Sequence, residues 1–91
     1  MNIGGRPLTL ITDQMIDTAR AIGGVIVARW SPCGRYITYQ AMTTDAAALV
    51  DTRCAVIVAD RDDTTNLSRR ELAELAREKA IETLAPAHPR V

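Results

Sequence analysis

A chain of 91 residues with 47% hydrophobic and 24% charged side chains has the balance of an ordinary globular domain with one hydrophobic core. That balance excludes both a disordered chain and two independent domains. Eleven basic and eleven acidic residues cancel, so no overall field draws the protein to nucleic acid or acidic lipid, and any such binding needs a local patch.

Two cysteines, Cys33 and Cys54, are too few for a disulfide scaffold and too widely spaced for CxxC redox chemistry or a four-ligand zinc site. The longest apolar runs, residues 24–28 and 55–59, cannot span a bilayer, and the first residues lack the pattern of a secretory signal. A cytoplasmic protein is the expectation.

In chain order, residues 1–6 read as a flexible lead-in containing Gly4 and Gly5, and a single domain is expected over 7–84. Residues 8–11 suit either a short strand or the approach to a helix. Ile11, Met15, Ile16, Ala19 and Ile22 then share a helical stripe over 13–22. Thr12 is the expected N-cap, Ile11 and Ile16 form a hydrophobic staple, and Gly23 with Gly24 supplies the left-handed stop.

Residues 25–30 and 35–42 are β-rich and joined by Ser31-Pro32-Cys33-Gly34, which has the residue types of a type I turn followed by a glycine bulge. A three-residue loop of that kind sets the register. Trp30 is expected opposite Tyr36, Ala28 opposite Thr38 and Ile26 opposite Gln40 on one face, with Val27 opposite Tyr39 and Val25 opposite Ala41 on the other. Thr43-Thr44-Asp45 followed by residues 46–50 reads as a short capped helix. Residues 54–59, apolar throughout, read as a third strand covered on both faces. If it lies beside the second strand, Cys54 is far from Cys33; close approach of the two would mean that it lies beside the first.

Ser68-Arg69-Arg70-Glu71 is a capping box, and Leu72, Leu75, Ala76, Ala80 and Leu84 make the buried stripe of a helix over 69–84. All four glutamates fall in this helix and all seven aspartates outside it, a segregation that follows helix propensity. Residues 85–91 contain Pro86 and Pro89 and read as an irregular tail. The order α-β-β-(short α)-β-α assembles as an α+β fold: a three-stranded antiparallel sheet with two long helices packed on one face.

Three segments bear on function. Residues 60–71 carry oxygen-bearing side chains at the spacing of an EF-hand calcium loop, but Thr65 stands where that loop needs glycine; a solvated turn around Asp62 and Asp63 explains the same residues. The stretch from Ser68 to Ala76 with Ala80, Ile81, Glu82 and Leu84 resembles the last helix of double-stranded-RNA-binding domains. The resemblance implies that Arg69 and Arg70 meet phosphates, although Ala73 stands at a third basic position and the family's glycine-proline-histidine loop is missing. Trp30 to Ile37 is similar to the turn of a β-propeller blade, and a propeller needs several such blades.

The only histidine, His88, lies in the tail, so cysteine or serine nucleophiles lack a base at a useful position. The chain is expected not to be an enzyme, and no cofactor or metal site is expected. Under the register above, Ile26, Trp30 and Tyr36 gather on the face away from the helices, with Arg29 and Arg35 beside them, in the composition of a protein interface. The expected function is protein–protein interaction, with another protein or a second copy of the chain as partner. Chains this short without a motif are often accessory or inhibitory proteins, phage-encoded inhibitors such as anti-CRISPR proteins among them. RNA binding through Arg69 and Arg70 is the alternative.

Overall fold

Helix ends lie where local chemistry stops or starts them. In the computed structural model, which describes residues 8–84, β1 (Leu8–Leu10) leads into Thr12, whose hydroxyl accepts the Met15 amide and caps α1 (Asp13–Ala21). Gly23 at φ +61° closes this helix in a Schellman motif: its amide bonds the Arg20 carbonyl and that of Gly24 the Ala19 carbonyl. β2 (Val25–Trp30) and β3 (Tyr36–Met42) follow as the hairpin. Thr43 then caps α2 (Thr44–Ala47), and β4 (Ala55–Ala59) completes the sheet. α3 (Arg61–Asn66) precedes α4 (Arg69–Leu84), whose Ser68 and Glu71 exchange the two bonds of the expected capping box. The expected lead-in and tail lie outside the described residues.

The protein is an α+β fold built on three antiparallel strands, with β1 added in parallel at the free edge of β3; the sheet order is β1-β3-β2-β4. Helices α1, α3 and α4 pack on one face. Ile16 and Ala19 of α1 and Leu72, Ala76, Ala80 and Leu84 of α4 bury against Ile26, Ala28, Ile37, Tyr39 and Val58 of the sheet. On the other face α2 covers a smaller apolar group in which Ala47 meets Val25, Val27 and Ala55.

The hairpin register differs from expectation by one residue. Ser31 donates its amide to the Tyr36 carbonyl at 2.8 Å, so Pro32, Cys33, Gly34 and Arg35 all belong to the loop, and Trp30 stands opposite Ile37, Ala28 opposite Tyr39 and Ile26 opposite Ala41. Gly34 does take positive φ, at +73°, and its amide bonds Ser31, so the turn itself forms. Two forces add the fourth residue. The buried Ser31 hydroxyl accepts the Arg35 and Tyr36 amides at 3.3 and 3.4 Å, and the longer loop faces the apolar half of β3 toward the apolar half of β2. A one-residue slip exchanges the two faces, so Ile26, Ala28 and Trp30 lie under the helices.

β4 pairs with β2 rather than β3 and is an edge strand, not one covered on both faces: Ile57 is 44% exposed. Its place beside β2 puts Cys54 at the same end of the sheet as Cys33, both free thiols. The expected acidic turn is helical instead. Asp60 and Asp63 exchange capping-box bonds at the start of α3, and the fully buried Thr64 donates to the Gly24 carbonyl at 2.9 Å. Arg20 closes this junction, donating to the Thr64 carbonyl at 2.9 Å and to that of Leu67.

The two glycines after α1 are constrained differently. A Cβ on Gly24 would lie 2.2 Å from the Met42 carbonyl oxygen, whereas one on Gly23 would meet nothing within 4 Å and suffer only from its positive φ. Gly24→Ala is expected to cost about 3 kcal/mol of unfolding free energy through overpacking and Gly23→Ala about 1 kcal/mol through backbone strain. Denaturant titration of the two variants checks the ranking, and a larger loss in Gly23→Ala contradicts it.

Candidate functional site

The expected interface residues divide between the two faces. Ile26 is fully buried in the helix-side core. Trp30 packs against the same core, and its indole N–H donates to the Leu84 carbonyl at 3.3 Å, satisfying a backbone group at the end of α4 that has no partner within the helix. The indole ties the hairpin to α4 and does not lie beside Tyr36.

Strand alternation puts Tyr36, Thr38 and Gln40 on the outer face, together with Arg29. Arg29 is exposed and donates to Gln40 Oε1 at 3.2 Å; Tyr36 is half-buried and Arg35 is exposed in the loop. Three of the five expected residues therefore remain together on or beside this face.

The neighbouring part of that face carries a feature the sequence reading missed. Between β4 and the segment after α2 runs a mostly apolar groove of about 250 Å³ lined by Val27, Ala47, Val50, Ala55 and Ile57 with Thr52 and Val56. Leu49, beside Val50, is 88% exposed. Ile57 escaped notice because an all-apolar strand reads as covered, yet its place on an edge leaves one flank open. The only sequence signal is negative: residues 55–59 carry none of the charges or prolines that usually blunt an edge strand.

The outer face thus offers an aromatic and cationic half around Tyr36 and Arg29 and an apolar half around the groove. A second hollow, of about 300 Å³ and lined by Thr12, Met15, Thr18, Tyr39 and Gln40 among others, lies between α1 and β3 and contains no charged side chain.

The thiols are set in different surroundings. Cys33 lies in the hairpin loop, where the Ser31 hydroxyl at 3.2 Å and then the Arg35 amide hold its pKa below the usual thiol value. Cys54 lies 4.0 Å from a carboxylate oxygen of Asp51. Among the described residues no group of three or more His, Cys, Asp or Glu side chains is placed to hold a metal ion, and no helix is long and apolar enough to cross a membrane.

Of the two arginines expected to meet phosphates, Arg69 donates from Nε and one terminal nitrogen to the two carboxylate oxygens of Asp17, at 3.0 and 2.7 Å. Arg70 is exposed, with Glu74 at 3.9 Å. Comparison with protein-family models, curated proteins and solved structures gives no match.

The Arg69 pair joins the start of α4 to α1. Its hydrogen bond to Asp17 holds that carboxyl below the usual aspartate range. A group with a lowered folded pKa stabilises the fold fully above its unfolded pKa and loses that contribution as pH falls through the folded value. Asp17→Asn is expected to destabilise the protein at neutral pH and to flatten the acid limb of its stability curve. Unfolding titrations of both chains across the acid range check this, and superimposable acid limbs would rule the linkage out.

Proposed function

We propose that the chain is a non-enzymatic protein-interaction module that docks another protein on the outer face of its sheet. The observation that supports this reading is the asymmetry of the two faces: three helices bury one, while the other carries Tyr36 and Arg29, the latter opposite Ala55 of an apolar groove with Ile57 on its rim. Tyrosine and arginine around a small apolar centre have the composition of binding hot spots, because they bury much area and still offer directed hydrogen bonds.

A complementary partner presents an apolar centre to the groove and carboxylates to Arg29 and Arg35. An accessory or inhibitory protein of this size would act by occupying such a surface on its target. The role needs no group that titrates near neutral pH and no cofactor.

Truncating a hot-spot residue costs about 2 kcal/mol or more of binding energy, about thirtyfold in affinity. Capture from the native lysate, quantified by mass spectrometry, is expected to enrich one partner with the natural chain. Arg29→Ala plus Tyr36→Ala should lose that partner while keeping the far-ultraviolet dichroism of the fold. Retention of the partner by the double variant would contradict the reading.

A further inference from the structure

We propose that the apolar half of the outer face is occupied by a second copy of this chain, through antiparallel pairing of β4 with its counterpart about a twofold axis at Val56. The inference rests on the docking reading above and names the partner for one half of that face.

β4 pairs with β2 on one side, and among the described residues no strand pairs with its other side. The Ala55 amide is bonded to the Asp51 carbonyl at 3.1 Å, which leaves the Ile57 amide and the Ala55 carbonyl to meet a partner strand. The pairing with β2 is irregular beyond Ile57: Val27 faces Ile57 and Ile26 faces Ala59, so Val58 is an extra, bulged residue. Regular edge backbone is therefore confined to Ala55–Ile57, and the symmetric register over those three residues is centred on Val56. That register puts Ile57 of each copy opposite Ala55 of the other.

Ala55 and Ile57 share the outer face, and Ala55 lines the groove. Each copy then offers one projecting side chain, the exposed Ile57, and one hollow, beside Ala55 and Val50. An isologous interface requires this self-complementarity, since every knob must find its hole on the same surface patch. The ends of the strand match as well. Antiparallel pairing brings Asp51 and Arg53, which precede β4, to Asp60 and Arg61, which follow it, so each acid of one copy approaches a base of the other. Arg53 pairs with Asp51 of its own copy at 3.2 Å, and its side chain, 88% exposed, lies where Asp60 of the second copy adds a further acid to that pair. The edge between these ends contains no charged residue to oppose pairing.

Sedimentation equilibrium of the full chain tests the proposal. The expected result is reversible association from 9.9 kDa to two chains. Ile57→Lys should weaken association by about tenfold or more, as loss of a central interface contact does, with an unchanged melting temperature. Ile22→Lys replaces a residue equally exposed at 44%, at the end of α1, and is expected to leave the dimer intact. Among the strand residues, amide exchange should slow with concentration at Ile57, since the Ala55 amide already bonds the Asp51 carbonyl and the Val56 amide faces β2.

A chain that stays monomeric at all concentrations overturns the proposal, as does a dimer that survives Ile57→Lys or fails equally with Ile22→Lys. The docking reading fails separately: a monomeric chain that still loses its captured partner on Arg29→Ala plus Tyr36→Ala removes the dimer and leaves the module.

Discussion

The hairpin closes between Ser31 and Tyr36, and that single pairing decides which side chains the protein keeps and which it shows. The Ser31 hydroxyl holds the Arg35 and Tyr36 amides, so the loop carries four residues and β3 meets β2 apolar to apolar. With one residue fewer, Ile37 and Tyr39 would turn outward and Thr38 and Gln40 would turn under the helices. Burying those polar groups without partners costs more than any gain from a tighter turn. Trp30 bonds the end of α4, and Tyr36 and Arg29 stand outside, because this register holds.

A second junction fixes the helices on the face so chosen. Gly24 lies so close to the Met42 carbonyl that only glycine fits, and its own carbonyl takes the buried Thr64 hydroxyl. Arg20 then bonds carbonyls at Thr64 and Leu67, which joins α1 to α3 before α4 begins, and Arg69 with Asp17 joins α4 back to α1. The three helices are thereby tied to one another on one side. Among the described residues only the four-residue α2 covers the other, and that imbalance leaves part of the outer face uncovered.

Local chemistry made much of this legible in the sequence. Thr12, Thr43 and the Ser68–Glu71 box start helices where their side chains accept backbone amides, and Gly23 ends one where positive φ is needed. Non-local choices were not legible. Nothing in residues 55–59 says that β4 crosses to β2, so its edge position and the exposure of Ile57 could not be read. α3 was hidden because aspartate, threonine and asparagine are poor helix formers; it forms through its own capping box and the burial of Thr64, whose partner Gly24 is distant in sequence. Turn chemistry alone misleads on the register, whereas the alternation of Ile37, Tyr39 and Ala41 with Thr38 and Gln40 carries the better signal. The expectation that Trp30 and Ile26 share an interface with Tyr36 follows from that one step.

Cross-strand nuclear Overhauser effects between α-protons test the register most directly, since facing pairs outside the hydrogen-bonded positions bring their Cα atoms to about 4.5 Å. Strong effects between Trp30 and Ile37 and between Ala28 and Tyr39 are the expected result. Strong effects pairing Trp30 with Tyr36 and Ala28 with Thr38 would contradict it, and would return the indole to the outer face.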